Sequence, residues 1–349
     1  MDWFEQLTGF AETSWNDTRQ RLTLQGRHLV SQVDGRRLDV GDFEMVALGT
    51  LRQRARACAA YGAGRLTMRV VTGNVRDLHT DTSNARAVFQ VASQFNMLEM
   101  VAPHVTPEDG VTRYQGDPTQ GPACAMAAGG ATIFRNHFVR VDDHGAERGQ
   151  TRTRQLDGLR DVGAALSHAI GVPVEELWAM RNGYALCSQR GLAQINALLL
   201  KAADAACDHL RSLLRIGVHR NAEVTWGARW ADPAQPPALH TVTQAFCSAL
   251  PVAYGEPPAA LWEPLARLVL EAAYEATLWE AVANASLGGS KAVHLTLLGG
   301  GAFGNEEAWI VDAMRRALTL ARHCPLEVRL VSYDGRVSQG VMGLVREFG

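Results

Sequence analysis

The stretch that most constrains the fold runs from Ala292 to Ala321, where an apolar segment, a glycine-rich loop and a helical pattern follow one another directly. The apolar residues "AVHLTLL" predict a short buried strand, because glycine bounds them on the carboxyl side. After the loop, Ile310, Met314 and Leu318 recur at helical spacing and predict an amphipathic helix, with Asn305 as its N-cap. The chain therefore contains a strand, a glycine loop and a helix in immediate succession.

The loop in this unit, "GGGAFGN" at residues 299–305, has the features of a phosphate-binding loop. Glycines let the backbone approach a ligand closely, and the start of a helix adds partial positive charge. Glu306 and Glu307 fall in the predicted first turn, where carboxylates complement the helix dipole. The alternative to a phosphate-binding loop is a tight turn that holds no ligand.

The glycine spacing also fits the dinucleotide-binding fingerprint, since Gly299, Gly301 and Gly304 match G-x-G-x-x-G. That fingerprint normally opens its domain and is followed by several further βαβ units. Only 45 residues follow Gly304 in this 349-residue chain, and they contain one helix and one clear strand. The loop closes its domain rather than opening it, so a Rossmann fold fits badly.

The composition is that of a soluble globular protein, with 47% hydrophobic and 20% charged residues, enough for one large domain or two small ones. The net charge of −2 argues against broad electrostatic binding to nucleic acid. We see no basic, apolar leader and no apolar run of membrane length. We therefore expect a cytoplasmic protein without membrane contact, which is also compatible with delivery into another cell.

Cysteine and histidine patterns indicate neither disulfides nor a metal. The six cysteines are scattered without a C-x-x-C pair, and the eleven histidines include no H-E-x-x-H. We expect buried free thiols and no metal or other cofactor.

Strand and helix patterns alternate along the rest of the chain and indicate an α/β fold. Residues 1–62 are predicted to form an N-terminal helical extension, and residues 155–215 a mainly helical segment. Between them, "GDPTQGPACAMAAGGATIFRNHFV" predicts a loop, a helix of small residues and then a strand. Further strands are predicted in "RLTMRVVTGNV", "VHRNAEVTW", "TVTQAFCSALPVAY" and "LEVRLVSYDG".

Three loops in a fixed order carry a resemblance to a known family. They are "VTGNV" at a strand end, "GDPTQGPACAMAAGG" before a small-residue helix, and "LLGGGAFGN" before a helix. This order resembles the macrodomain superfamily of ADP-ribose-binding modules. "QFNMLEM" lies where the family has an Asn-rich strand, and Asn74 stands where the family has an Asp. The resemblance covers residues 66–138 and 293–334.

The resemblance implies a three-layer α/β/α fold around a mixed sheet. Residues 63–349 would form one enlarged macrodomain-like domain, with the helices of residues 1–62 added before it. The segment at about 155–215 would be a helical insertion, because an ordinary macrodomain lacks it.

The resemblance also implies where ADP-ribose would bind. Adenine would lie by Asn74, the distal ribose by Gln94 to Asn96, and the diphosphate between the two glycine-rich loops. The implied ADP-ribose-binding residues are Asn74, Gln94, Phe95, Asn96, Thr119, Gln120, Gly121, Pro122, Ala123, Cys124, Gly299, Gly300, Gly301, Ala302, Phe303, Gly304 and Asn305. The residues themselves leave alternatives open: a turn for Asn74, a strand-end cap for Asn96, a buried thiol for Cys124 and a core aromatic for Phe303.

The same motifs resemble an enlarged, effector-type branch of the superfamily, whose members remove ADP-ribose from modified arginine, including arginine on ubiquitin. Cleavage of such a glycosidic bond develops positive charge that carboxylates stabilise. Asp109, Asp117 and Glu306 are the candidate catalytic residues. Each has a structural alternative: an Asp-Gly turn, an Asp-Pro turn and a first helical turn.

The leading hypothesis is an enzyme that binds ADP-ribose and hydrolyses it from protein side chains, with arginine as the candidate acceptor. A non-catalytic ADP-ribose reader is the second hypothesis. A nucleotide-dependent enzyme of another α/β family is the third.

Overall fold

A computed structural model describes residues 1–141, 147–228 and 238–349 of the chain. Within these ranges, twelve strands form a small three-stranded sheet (β1 to β3), a central seven-stranded sheet and a hairpin (β7 and β8). In chain order they are β1 (Leu22–Gln25), β2 (His28–Ser31), β3 (Arg37–Asp39), β4 (Asp42–Ala47), β5 (Thr67–Thr72), β6 (Val88–Ala92), β7 (Trp178–Arg181), β8 (Tyr184–Cys187), β9 (Arg215–Glu223), β10 (Thr241–Cys247), β11 (Ala292–Leu295) and β12 (Glu327–Ser332).

The central sheet has the strand order β4-β9-β10-β6-β11-β12-β5. Strands β10, β6, β11, β12 and β5 pair in parallel, whereas β9 pairs antiparallel with both of its neighbours. The first four residues of β6 are buried, as expected for a parallel strand covered on both faces. The carboxyl ends of β10, β6 and β11 therefore meet at one edge of the sheet.

Helices cover both faces of this sheet. They are α1 (Trp3–Thr8), α2 (Trp15–Arg21), α3 (Leu48–Arg56), α4 (Val75–Thr80), α5 (Gln120–Ala127), α6 (Gly129–His137), α7 (Arg160–Ile170), α8 (Val174–Leu177), α9 (Gln189–Leu199), α10 (Asp204–Leu213), α11 (Ala259–Ser286), α12 (Glu307–Ala321) and α13 (Gln339–Phe348). The 28-residue α11 is the centre of one layer and packs against α3, α9, α10 and α12. Helices α4, α5 and α6 lie on the other face, where α5 contacts β6 and α6 contacts β9.

This arrangement confirms the predicted fold class, a three-layer α/β/α structure with a mixed sheet. The strands predicted on either side of the glycine loop are β11 and β12. The strand predicted in "ATIFRNHFV" is wrong, because residues 129–137 form helix α6.

The helical prediction for residues 1–62 is wrong in part. Helices α1, α2 and α3 are present, but residues 22–39 form the small sheet and β4 is an edge strand of the central sheet. Short runs such as "LTLQ" alternate between buried and exposed positions, a pattern of period two that the polar residues around them obscure. The side chains of α1 and the small sheet pack onto α5 and α6 in a separate apolar cluster.

Residues 155–215 contain four helices, α7 to α10, and the hairpin of β7 and β8. Helix α9 contacts α11, and α10 contacts both α11 and α3, so the segment is part of the helical layer on that face. The hairpin projects toward the carboxyl edge of the sheet, where Tyr184 reaches the candidate site. In the ranges that the structure describes, none of the helices combines the length and the apolar character that a membrane span needs.

Candidate functional site

A cleft of about 920 Å³ opens over the carboxyl ends of β6 and β11. In open α/β sheets this edge is where ligands bind, and the volume suits a nucleotide-sized molecule. The cleft is lined by residues 92–94, 99–101, 104–105, 113–114, 116–122, 184, 249, 254, 296–299 and 301–303.

One wall is the segment after β6, residues 93–100, called here the buried loop. The Gln94 amide accepts a hydrogen bond from the backbone N–H of Met100 at 2.8 Å and donates to the Met100 carbonyl at 3.0 Å. Asn96 accepts from Leu98 N–H at 3.1 Å and donates to Gln155 Oε1 at 2.9 Å. These bonds close the segment into a rigid turn.

The buried loop therefore uses its predicted ligand-binding side chains as structural parts. Gln94 lines the cleft, but both ends of its amide are already bonded within the loop. Phe95 and Asn96 are buried and do not line the cleft. Met97 has φ of 62°, a left-handed conformation that is uncommon outside glycine and that the surrounding bonds maintain.

The buried loop presents Glu99 to the cleft, a residue absent from the predicted site. Glu99 is only 2% exposed, and its Oε2 makes no hydrogen bond within the described residues. Burial raises the pKa of Glu99 to about 7, although the nearby Arg135 guanidinium and Tyr114 hydroxyl favour the ionised form. A carboxyl group of this kind exchanges a proton near neutral pH.

The second wall is the start of α5. A Cβ atom on Gly121 would lie 2.0 Å from the Ala92 carbonyl oxygen, so glycine is required for the helix to approach the end of β6. The Gln120 amide clamps this contact by accepting from Ala92 N–H at 2.9 Å and donating to the Gln90 carbonyl at 2.8 Å. The backbone N–H groups of Gln120 and Gly121 make no hydrogen bond within the described residues.

The remaining predicted residues of this wall divide between cleft and core. Thr119 and Pro122 line the cleft, whereas Ala123 and Cys124 pack into an apolar cluster beneath it. Burial raises the pKa of the Cys124 thiol well above its usual range. Cys124 is therefore an inert core thiol that does not line the cleft.

The opposite wall is the glycine loop, residues 299–305. Asn305 fastens its two ends, because its backbone N–H donates to the Gly299 carbonyl at 2.9 Å and its side chain donates to Leu250 O at 2.8 Å. The backbone N–H groups of Gly301, Ala302 and Phe303 make no hydrogen bond within the described ranges. They form a row of donors in a loop that lines the cleft, an arrangement suited to phosphate.

The other glycine-loop residues have supporting positions. Gly300, Gly304 and Asn305 do not line the cleft. Helix α12 begins at Glu307 with Glu306 as the N-cap residue, one position later than predicted. The reason is that the Asn305 side chain is turned inward to the loop and is not available as a cap.

Three aromatic side chains from distant parts of the chain meet at the cleft. The ring centroids of Tyr184 and Tyr254 are 5.2 Å apart, those of Tyr184 and Phe303 5.3 Å, and those of Tyr254 and Phe303 5.7 Å. The Tyr184 hydroxyl donates to the Met100 carbonyl at 2.6 Å, which ties this group to the buried loop. Such a cluster offers π-faces on which a planar base can stack.

The structure brings only one of the three predicted catalytic carboxylates to the cleft. Asp117 lines it, with Oδ1 accepting hydrogen bonds from the backbone N–H and the hydroxyl of Thr119. Asp109 lies outside the cleft, because its carboxylate caps its own turn by accepting from the N–H and hydroxyl of Thr106. Glu306 is an exposed N-cap residue and does not line the cleft either.

Asn74 does not line the cleft either. It is the N-cap of α4, and its side chain accepts from Arg76 N–H at 2.9 Å. It follows β5, which is an edge strand separated from β11 by β12. The capping role that the structure gives Asn74 is its structural alternative, a cap at a strand end.

Within the described residues, no cluster of three or more His, Cys, Asp or Glu side chains is arranged to hold a metal ion. All six cysteines are free thiols. The site is thus an α/β cleft with unbonded backbone donors on two walls, an aromatic cluster and one buried carboxyl.

Comparison with known proteins adds a likeness of overall fold. No family model and no curated protein matches the chain. The structure is similar to poly(ADP-ribose) glycohydrolase from Deinococcus radiodurans in complex with ADP-ribose, with 14% identity over 87% of this chain and 93% of that one and a TM-score of 0.44. It is also similar to poly(ADP-ribose) glycohydrolase from Thermomonospora curvata bound to the inhibitor ADP-HPD, with 12% identity over 96% and 97% of the chains and a TM-score of 0.42. Likeness at this level does not define the function of the present chain.

Proposed function

We propose that the cleft binds ADP-ribose and hydrolyses the glycosidic bond that joins its distal ribose to a protein side chain. The observation that carries this proposal is the buried carboxyl of Glu99 at a cleft whose two other walls present unbonded backbone N–H groups. The cleft combines the donors that a diphosphate needs with an acid–base group for a glycosidic bond.

The groups that line the cleft walls support the binding of ADP-ribose. Backbone N–H groups at the start of α5 and at Gly301 to Phe303 would hold the diphosphate. The cluster of Tyr184, Tyr254 and Phe303 would pack against the adenine ring.

The chemical part follows from the environment of Glu99. In hydrolysis, the bond between the anomeric carbon and the acceptor atom breaks, and its electron pair leaves with the acceptor. Protonated Glu99 would donate a proton to that atom, and the resulting carboxylate would stabilise the positive ribose ring. The carboxylate would then take a proton from the attacking water, which restores the starting state. A pKa of about 7 leaves both protonation states of Glu99 populated at neutral pH.

The acceptor in this proposal is arginine. Asp117 is a half-buried carboxylate in the cleft wall, and a carboxylate is the natural partner of a guanidinium leaving group. The proposal places the reaction in the cytoplasm, with ubiquitin as one carrier of ADP-ribosylated arginine to test.

The test is a comparison of Glu99→Gln with wild type for binding and for turnover. We expect calorimetric affinity for ADP-ribose to change less than threefold, while hydrolysis falls by about 10²-fold to 10⁴-fold, the usual contribution of an acid–base group. Glu306→Gln is the matched control, because it makes the same substitution at an exposed position outside the cleft. Substrates would include ADP-ribosyl-arginine on a peptide and on ubiquitin, and an ester-linked conjugate.

Each other outcome points to a different function. ADP-ribose binding without turnover of any conjugate would contradict the hydrolase and leave a reader module. Tighter binding of NAD or S-adenosylmethionine than of ADP-ribose would favour a nucleotide-dependent enzyme of another class. Turnover of the ester but not the arginine conjugate would retain the hydrolase and reject arginine as the acceptor.

A further inference from the structure

A fully buried arginine, Arg135, lies next to Glu99 and outside the cleft lining. Arg135 of α6 has no exposed surface, and three contacts fix its guanidinium. Its Nε donates to the Met97 carbonyl at 3.1 Å, its Nη2 donates to Thr132 Oγ1 at 3.2 Å, and its Cζ lies 3.7 Å from the centre of the Phe246 ring. The position of this charge is therefore determined by the core and does not depend on a ligand.

The guanidinium contacts only one oxygen of Glu99. Arg135 Nη2 lies 3.4 Å from Glu99 Oε1, a single long contact rather than the bidentate pairing that arginine and carboxylate usually adopt. Glu99 Oε2 makes no hydrogen bond within the described residues, although the Tyr114 hydroxyl is near enough to favour the ionised carboxylate. Arg135 therefore holds Oε1, whereas Oε2 has no hydrogen-bond partner within the described residues.

We infer that Arg135 is the positioning residue for Glu99: it fixes Oε1 and leaves Oε2, which has no hydrogen-bond partner within the described residues, as the oxygen that would serve the reacting groups. Arg135 itself does not line the cleft, so it acts through Glu99 and not on the substrate. This inference rests on the proposed function, because it assigns to Arg135 the orientation and ionisation of the proposed acid–base group.

The other titratable groups packed against the pair of Glu99 and Arg135 are Tyr114, Cys124 and His219, and all three are neutral at neutral pH. Burial raises the pKa values of Tyr114 and Cys124 well above their usual ranges, so both remain protonated at neutral pH. His219 Nδ1 lies 3.5 Å from Arg135 Nη1, and burial lowers the pKa of His219 well below its usual value. Burial also lowers the pKa of Arg135, but a guanidinium keeps its charge in proteins. Within the described residues, Arg135 is thus the charged group in contact with the Glu99 carboxyl.

The experiment measures Glu99 ionisation directly as well as turnover. The Glu99 carboxyl signal is isolated as the infrared difference between each protein and its Glu99→Gln counterpart during a pH titration. In Arg135→Met we expect this titration to move to higher pH by about one unit or more, since a nearby opposite charge lowers a carboxyl pKa by that amount. The carboxyl can then stay protonated in the core, which limits the damage to folding.

Turnover gives the second readout. In Arg135→Met we expect kcat to fall at least about tenfold with KM within about twofold, because Oε1 is no longer fixed while the binding walls are intact. The Glu99 limb of the pH–rate profile should move to higher pH together with the infrared titration. An unchanged Glu99 titration in Arg135→Met would overturn the inference.

Arg135→Lys keeps the charge and provides a second test if the methionine variant does not fold. We expect its Glu99 titration to stay near that of the wild type, while kcat falls because an ammonium group does not reproduce the fixed guanidinium contacts. A wild-type kcat in Arg135→Lys would overturn the positioning role. The two proposals fail separately: a wild type without turnover on any conjugate rejects the hydrolase, whereas the infrared titration still decides the role of Arg135.

Discussion

The buried loop and the glycine loop both line the cleft and are built in opposite ways. Side-chain hydrogen bonds from Gln94 and Asn96 close the buried loop on itself, and Glu99 Oε2 has no hydrogen bond within the described residues. The glycine loop is fastened mainly by Asn305 at its base, and its outer backbone N–H groups are unbonded.

This difference separates two tasks. A group that reacts must be held in one orientation, and core packing around the buried loop does this. A loop that binds phosphate through its backbone needs free donors and room, which glycine provides without side chains. Polar side chains in a loop are therefore poor indicators of ligand contact when their own backbone satisfies them.

The largest effect is expected on the free energy of unfolding when glycines of the glycine loop are replaced. Gly299→Ala should lower this free energy, whereas Gly301→Ala should leave it nearly unchanged. Gly299 has φ of 76°, and an added Cβ would lie 2.4 Å from Ala249 Cβ and 2.7 Å from the Asn305 amide. Left-handed strain and overpacking together should cost about 2–5 kcal/mol of unfolding free energy. The measurement is denaturant unfolding of both variants.

Gly301→Ala is the matched control, since no atom lies within 4 Å of its added Cβ and its φ is not in the left-handed region. We expect a change within about 0.5 kcal/mol, as for a typical surface substitution. Equal losses in the two variants would show that the outer part of the loop is as constrained as its base, which would break the comparison between the two walls.

The next effect is the decrease in the free energy of unfolding that Glu99 in the buried loop causes as the pH rises. The pKa of Glu99 is about 7 in the fold against about 4.5 in the unfolded chain, so the native state binds this proton more tightly. The contribution of protonated Glu99 is fully present below pH 4.5 and is lost as the pH rises through about 7. Glu99→Gln stays neutral and should not show this loss.

The unfolding free energy of Glu99→Gln minus that of wild type should therefore increase by a few kcal/mol between about pH 4.5 and about pH 8. Subtraction at each pH cancels the contribution of Glu223, whose pKa burial also raises to about 7. A difference that stays constant over this range would mean that Glu99 is solvated. The description of the buried loop as a rigid turn that keeps Glu99 buried would then be wrong.

The smallest effect is expected for the aromatic contact of the glycine loop. Phe303→Ala removes one of the three clustered rings and should weaken ADP-ribose binding by about 1–2 kcal/mol, or roughly tenfold in Kd by calorimetry. Tyr333→Ala is the control, because this ring is 78% exposed and does not line the cleft. Equal affinities of Phe303→Ala and wild type would mean that the glycine loop contributes to ADP-ribose binding only through its backbone N–H donors.

Local patterns predicted the glycine loop and its flanks because strand, loop and helix are adjacent in the sequence. β11, β12 and α12 were found in this way, with a one-residue error at the start of α12. The ends of a helix depend on where a side chain such as Asn305 turns, which spacing alone does not encode.

The other components of the site depend on contacts between distant residues. Tyr184 and Tyr254 meet Phe303 only after residues from the hairpin and from the turn before α11 fold onto the cleft. The one local signal for Glu99 is a single charge in the otherwise uncharged run "QFNMLEM". Asp109 shows the converse, because the carboxylate that the sequence predicted to be catalytic caps its own turn and does not line the cleft.

The strand order has a consequence for biosynthesis. Edge strand β5, made early, pairs with β12, and residues 299–305 must emerge before the cleft has its second side. Domains fold largely as units during synthesis, and parallel pairing between distant segments is slow to form. On the ribosome, the edges of β5 and β6 therefore remain unpaired until β11 and β12 have emerged, and the glycine loop is added to the cleft after the buried loop.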